Sequence, residues 1–168
     1  MSNVVLLPGT GMQATPVGTP ASYTAGGNPY ALVAGDWNGD GNLDLAANNS
    51  MTNNVTVLLG SANGMMTVSG TQLGVGMRPE HIAAVDVNND GLPDLVTANT
   101  SGGDLSLLLM QDRMPTYASA QAISPGSGIT PKWVTSADLN ADGKADLVVA
   151  DYKTAGSAGV VVLLNTSQ

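Results

Sequence analysis

The chain has 168 residues, which is the size of a single domain. It contains no cysteine, which excludes disulfides and thiol chemistry, and only 11% of its residues are charged. Hydrophobic residues make up 43% of the chain, glycine is frequent, and runs of good helix formers are missing. This composition predicts a turn-rich, all-β protein with a buried core.

The formal net charge is −8, and most of the acidic residues lie in three short windows. Nine of the thirteen acidic residues are aspartates of a nine-residue motif that occurs three times. There is no basic patch, so we expect no nucleic-acid partner. No apolar run approaches the roughly 18 residues that cross a bilayer, so we expect no membrane insertion.

The repeated motif sets the organisation of the chain. It reads D-x-N-x-D-G-x-x-D and begins at Asp36, Asp86 and Asp138, which is a period of about 50 residues. A proline stands seven residues before each start. Short apolar runs separated by Gly, Asn and Pro flank each motif and predict four strands per unit, with the motif between strands 1 and 2.

Taken in order, the chain divides into four segments. Residues 3–25 match strands 3 and 4 of a unit, with Met12–Tyr23 as the fourth strand. Residues 26–76 and 77–128 are complete units, and residues 129–168 supply strands 1–3, with a turn at 153–158. Four-stranded units repeated around an axis form the blades of a β-propeller, so we predict about three blades.

Three blades are fewer than the four to eight that normally close a ring. An open arc would expose apolar sheet faces and strand edges. We therefore expect a homo-oligomer, with two chains closing a six-blade ring and the N-terminal strands of one chain completing the last blade of the other.

The motif has the spacing of a calcium loop. Side-chain oxygens stand at positions 1, 3, 5 and 9, and a glycine at position 6 supplies the positive φ that the turn needs. The residue type at position 7 varies, so we expect a main-chain carbonyl ligand there. A single motif of this kind could be only an Asx-rich turn. Three copies with the same pattern at one period make that interpretation unfavourable. We predict three Ca²⁺ sites: Asp36, Asn38, Asp40, Asn42 and Asp44; Asp86, Asn88, Asp90, Leu92 and Asp94; Asp138, Asn140, Asp142, Lys144 and Asp146.

An EF-hand is excluded because position 12 lacks glutamate and lies in an apolar run. The D-x-N-x-D-G-x-x-D-L stretches resemble those of the FG-GAP/VCBS repeat family, the integrin-α-like β-propellers and their bacterial relatives. Ala34-Gly35, Val55–Leu59 and Asn63-Gly64 add to the resemblance. The Phe-Gly and Gly-Ala-Pro signatures are absent, and Met65 replaces the usual aromatic residue.

The resemblance implies a non-enzymatic adhesion or recognition module in which calcium is structural. It also implies an extracellular or cell-surface parent protein. No signal peptide is visible, and Met1-Ser2 directly precedes an apolar run, which we interpret as the start of an excised or engineered segment. Two alternatives stay open: a lectin-like propeller, and a designed or fragmentary assembly whose only ligand is metal.

The resemblance places ligand binding on the face opposite the calcium loops. Two positions there differ in every repeat, which suggests that packing does not constrain them. One interpretation is that these residues contact a protein or glycan ligand. The other is that they lie on an exposed rim where the residue type varies freely. The candidate residues are Tyr30, Glu80, His81, Lys132 and Trp133. The single histidine has no partner for catalysis, and we expect the Trp37 side chain to point outward.

Overall fold

A computed structural model describes residues 2–9, 18–113, 116–152 and 159–167. Within these residues the protein has thirteen β-strands, arranged in four antiparallel sheets, and no helix. The described part of the chain accordingly has no helix that could span a membrane. The prediction of an all-β fold is confirmed. The turn at 153–158 and residues 12–17 of Met12–Tyr23 lie outside the described residues.

Two sheets have four strands in sequential order, as expected for propeller blades. The first contains β3 (Pro29–Gly35), β4 (Asp44–Asn49), β5 (Asn54–Gly60) and β6 (Met66–Gly74). The second contains β7 (Pro79–Val85), β8 (Asp94–Asn99), β9 (Asp104–Leu108) and β10 (Gln121–Ile123). We call these sheets blade A and blade B.

The remaining strands form two smaller sheets at the ends of the arc. An N-terminal pair contains β1 (Asn3–Leu6) and β2 (Ala21–Thr24). A three-stranded sheet, which we call blade C, contains β11 (Pro131–Ala137), β12 (Asp146–Asp151) and β13 (Gly159–Leu163). The protein therefore carries about three blades.

The first strand of each blade begins at one of the regularly spaced prolines. Just after Pro29, Pro79 and Pro131 the pairing register shifts by one residue, which marks a β-bulge. Proline has no N–H to donate to a ladder, so it fits at the start of a strand beside such an irregularity. The repeated prolines thus fix where each first strand starts.

The blades stack through apolar faces, and the first strands of successive blades lie side by side. One core lies between blades A and B and includes Val55, Val57, Ile82 and Leu95. A second lies between blades B and C, and a third, smaller one lies between the N-terminal pair and blade A. Blades A and B are therefore each buried on two faces.

The expectation that Trp37 points outward is wrong. Its side chain is only 1% exposed and belongs to the core between blades A and B. A Cβ on Gly35 would lie 2.5 Å from Trp37 Nε1, so the indole occupies space that a side chain at residue 35 would fill. Gly35 therefore makes room for the largest side chain in this core.

Candidate metal centre

The three aspartate motifs form the loops between the first and second strands of the blades. They follow β3, β7 and β11, so all three lie at the same end of the stacked first strands. Neighbouring loops touch, because Asn89 Nδ2 lies 3.4 Å from the Gly143 carbonyl oxygen that accepts its hydrogen bond. The motifs thus share one face of the arc, as the repeat predicts.

The backbone of each loop turns as the motif predicts. Gly41, Gly91 and Gly143 at position 6 have φ values of 84°, 79° and 82°. Position 4 is also left-handed, which the motif does not predict: φ is 57° at Asn89 and 60° at Ala141. A left-handed alanine is unfavourable, so the third loop holds Ala141 in a strained conformation.

The aspartate at position 1 organises the loop around itself. Asp36 Oδ1 accepts hydrogen bonds from the backbone N–H groups of Gly39 (2.8 Å) and Asp40 (3.1 Å), and Oδ2 accepts one from Gly41 (2.9 Å). Asp86 and Asp138 accept the bonds from positions 5 and 6 in the same way. One carboxylate therefore holds the tight turn in every copy.

Positions 3 and 5 also contact one another in every loop. In the first loop Asn38 Nδ2 donates to Asp40 Oδ2 at 3.0 Å, and Asp40 Oδ1 accepts from the Asn42 N–H at 2.8 Å. The Asn42 and Asn38 bonds hold the pKa of Asp40 below its usual value. This carboxyl group is therefore kept ionised, which is the state that a cation requires.

The aspartate at position 9 has a different environment, because it is fully buried. Asp94 Oδ2 accepts a hydrogen bond from the Val87 N–H at 3.0 Å, and Oδ1 accepts one from the Met110 N–H at 2.8 Å. Asp44 and Asp146 do the same between their own loop and the residue that ends or follows the third strand. Burial raises the pKa of Asp94. Position 9 thus ties the loop to the third strand.

The donor chemistry of the loops fits calcium. Each loop offers three carboxylates, one amide oxygen and main-chain carbonyls, which are the hard oxygen ligands that Ca²⁺ prefers. Each carboxylate has about four lone-pair sites, so the hydrogen bonds above do not exhaust its capacity. In the described residues no three acidic or histidine side chains lie grouped as a metal cluster. Negative charges that lie close together repel one another unless a cation neutralises them. In this structure every loop aspartate accepts hydrogen bonds from N–H groups.

A cation from the next blade lies against the first loop, which the sequence did not predict. Arg113 follows β9 of blade B, and its Nη1 lies 3.0 Å from the point that a Cβ on Gly39 would occupy. Positive charge there partly offsets the loop aspartates. In the third loop the ammonium of Lys144 donates to the Ser167 carbonyl, so its side chain points along the chain terminus.

The five candidate ligand residues lie where the first strands begin, but most of them are not free of packing. Glu80 is buried, with Oε1 2.8 Å from Arg78 Nε and Oε2 in an ion pair with Lys132. His81 stacks on Trp133 with ring centroids 3.6 Å apart. These two pairs, Glu80 with Lys132 and His81 with Trp133, make contacts between blades B and C. The expectation that packing does not constrain these positions is therefore wrong for four of the five residues.

The exposed parts of this set are two aromatic rings. Tyr30 is 54% exposed and Trp133 is 57% exposed. His81 is partly buried, and this burial lowers its pKa despite a hydrogen bond from the Val134 N–H. Its imidazole is therefore mainly neutral at pH 7 and serves as a flat surface for the indole.

Two kinds of polar anchor were missed by the sequence analysis. Asn49 and Asn99 end the second strands, are fully buried, and donate to Thr56 and Ser106 of the third strands, both at 2.9 Å. Asn165 Nδ2 donates to the Val87 carbonyl at 2.7 Å and so joins blade C to the second loop. Asparagine recurs at the equivalent positions 49 and 99, and this recurrence could have predicted the buried anchors at the ends of the second strands.

Comparison with known proteins agrees with the repeat. A model of the FG-GAP-like repeat matches residues 36–97 and 86–149, so each match extends from one motif into the next. These matches together span more than half of the chain, and the protein belongs to the FG-GAP-like repeat family. No curated protein matches the chain significantly.

Among solved structures, the chain is similar to one described as the crystal structure of BBS1N in complex with ARL6DN, soaked with lead. The identity is 11% and the TM-score is 0.36. The similarity covers 86% of this chain and 58% of that chain, so this protein spans little more than half the length of its match.

Proposed function

We propose that the protein is a calcium-binding β-propeller module for adhesion or recognition, and that calcium is structural in the loops between strands 1 and 2. The observation that carries the proposal is the threefold recurrence of one oxygen-rich loop with one hydrogen-bond pattern. Asp36, Asp86 and Asp138 each hold the same turn, and the residue types at positions 3, 5 and 9 do not change.

Calcium would be held in the first loop by Asp36, Asn38, Asp40, the main chain at Asn42, and Asp44. The equivalent residues would hold it in the other two loops, giving three sites per chain. The bound ion would supply positive charge that neutralises the clustered carboxylates. The protein's part is to position these oxygens through the turn at position 6 and the buried anchor at position 9.

A structural role is supported by where the loops are attached. The aspartate at position 9 ties each loop to its third strand, and the second and third loops touch across the junction between blades B and C. Ordering the loops would therefore order the ends of three strands in each blade. Because an ion that binds only the folded state adds stability by mass action, calcium should raise the melting temperature.

A melting experiment tests this role. We expect EDTA to lower the melting temperature of the protein and added Ca²⁺ to restore it, with Mg²⁺ less effective because it demands tighter octahedral geometry. The same melting curve in EDTA and in millimolar calcium would refute a structural role for the ion.

The recognition part of the proposal rests on the family resemblance and on the face opposite the loops. We propose a protein partner outside the cell and no enzymatic activity, since nine of the thirteen acidic residues are assigned to metal. Extracellular modules bind calcium at roughly 10⁻⁴–10⁻³ M, so we expect affinities in this range.

A glycan ligand is the second candidate, and the exposed aromatic rings favour it. Tyr30 and Trp133 present flat apolar surfaces of the kind that can stack on sugars. A glycan array separates the two candidates: binding that disappears in Tyr30→Ala or Trp133→Ala would identify a lectin-like site. Absence of binding to any glycan would leave the protein partner as the proposal.

A further inference from the structure

The asparagine at position 3 of each loop is followed by a different residue in every copy. The three pairs are Asn38-Gly39, Asn88-Asn89 and Asn140-Ala141. The backbone nitrogen that follows an asparagine can attack the side-chain amide, and a Cβ on the following residue hinders that attack. Glycine has no Cβ, so the nitrogen after Asn38 is the least hindered of the three.

This nitrogen also lies beside a base in the first loop. The Gly39 N–H donates to Asp36 Oδ1 at 2.8 Å. Within the residues that the structure describes, Asp86 and Asp138 accept bonds from positions 5 and 6 of their loops but none from position 4. A carboxylate at this distance can take the proton as the nitrogen attacks, as a general base does.

The amide of Asn38 is held with its carbonyl polarised. Its Oδ1 accepts a hydrogen bond from the Asp40 N–H at 2.9 Å, which stabilises the negative charge that develops on this oxygen during the attack. Gly39 is exposed, so water reaches the pair. We propose that Asn38 is a site of spontaneous deamidation, and that it reacts faster in the folded protein than Asn88 or Asn140. This inference does not depend on whether the loops bind calcium.

The reaction consumes water and releases ammonia. The Gly39 nitrogen forms a bond to Asn38 Cγ, and its proton passes to Asp36 Oδ1 and from there through solvent to Nδ2. The bond between Cγ and Nδ2 then breaks, and Nδ2 leaves as ammonia. Water opens the resulting cyclic imide at either of its two carbonyls. The product at residue 38 is an aspartyl or an isoaspartyl residue, and in both a carboxylate has replaced the amide.

Either product changes the first loop and leaves the other two as they are. The aspartyl form adds a fourth carboxylate to those of Asp36, Asp40 and Asp44. The isoaspartyl form runs the main chain through Cγ, and the added carbon displaces the Gly39 and Asp40 N–H groups, whose bonds to Asp36 hold the turn. The three loops therefore cease to be equivalent as the protein ages.

Peptide mapping by mass spectrometry, after incubation of the folded protein in EDTA at neutral pH, tests the proposal. Replacement of the amide by a carboxylate raises the mass of the peptide, whereas isomerisation of the neighbouring Asp40-Gly41 does not, so the two reactions are distinguished. We expect Asn38 to deamidate at least about tenfold faster than Asn88 and Asn140, because the missing Cβ and the neighbouring base both favour it.

The pair Asn63-Gly64, in the exposed turn between β5 and β6, is a matched control within the chain. Gly64 also lacks a Cβ, but its N–H donates to a main-chain carbonyl, at 2.8 Å, and not to a carboxylate. Asn63 should therefore react more slowly than Asn38. Asp36→Asn keeps an oxygen that can accept the bond within the turn but removes the base, so it should reduce the rate at Asn38 to about that at Asn63.

The comparison within the unaltered protein decides the proposal even if the variant fails to fold. Equal rates at Asn38, Asn88 and Asn140 would overturn it. Circular dichroism establishes whether Asp36→Asn is folded, and an unchanged rate at Asn38 in the folded variant would overturn the part assigned to the carboxylate. A rate at Asn63 that equals or exceeds the rate at Asn38 would overturn that part as well.

Discussion

At the scale of single residues, the aspartates of each motif have separate tasks. Position 1 holds the turn through backbone N–H groups, position 5 lies exposed and accepts a hydrogen bond from the N–H of position 7, and position 9 is buried. Position 9 anchors the loop to the third strand whether or not a cation is bound, whereas position 5 makes only exposed hydrogen bonds within its own loop. Substitutions at the two positions should therefore differ in their dependence on calcium.

The first prediction compares these positions within the second loop. Asp94→Ala should lower the free energy of unfolding by about 2–4 kcal/mol even in EDTA, because two backbone N–H groups lose their acceptor in a buried place. Asp90→Ala should leave stability in EDTA nearly unchanged and reduce only the calcium-dependent increase. Chemical denaturation with and without calcium measures both effects. Equal losses for the two variants in EDTA would contradict the separate roles.

A second prediction concerns the left-handed alanine of the third loop. Ala141→Gly should raise the free energy of unfolding by roughly 0.5–1 kcal/mol, because glycine adopts the φ of 60° without steric cost. Gly143→Ala, two residues later at a φ of 82°, is the matched opposite change and should be destabilising. Thermal melts of both variants provide the check. A loss of stability in Ala141→Gly would show that the loop does not hold this conformation in solution.

At the scale of elements, polar side chains fasten the loops and strands to one another. Asn165 follows β13, its N–H donates to Asp146, and its side chain donates to the carbonyls of Val87 and Ala145. It therefore links the third strand of blade C to its own loop and to the loop of blade B. This contact and the ion pair between Glu80 and Lys132 join blades B and C from opposite ends of the first strands.

Removing this link gives the third prediction. Asn165→Ala should lower the free energy of unfolding by about 1 kcal/mol, since three side-chain hydrogen bonds are lost, one of them an exposed bond from the Ser167 N–H, while the backbone bond to Asp146 is kept. Thr166→Ala changes the next, exposed residue and should have little effect. Urea denaturation of the two variants measures the difference. Equal stabilities would show that the contact with Val87 contributes nothing to the junction.

The repeat predicted these elements well because it is carried by local chemistry. Proline, glycine and the aspartate spacing act within a few residues, so the loops and the strands beside them follow from the sequence. The sequence did not predict the direction of the Trp37 side chain, because that direction depends on the space left by Gly35 and on the packing of blade B. The contacts of Glu80 and His81 with blade C were missed for the same reason: the partners are about 50 residues away.

At the scale of the whole molecule, the protein is an arc of blades with its aspartate loops on one face and an apolar surface at each end. The blades supply each other's cores, and the N-terminal pair covers part of the other face of blade A. The proposed calcium ions would neutralise the clustered carboxylates on the loop face.

Native mass spectrometry counts bound ions directly, and so tests whether each of the three loops binds one calcium ion. We expect three Ca²⁺ per chain for the unaltered protein and two per chain for Asp90→Ala. Mass spectra that show no calcium bound to the folded protein, or the same number of ions in Asp90→Ala as in the unaltered chain, would show that the loops are not three calcium sites.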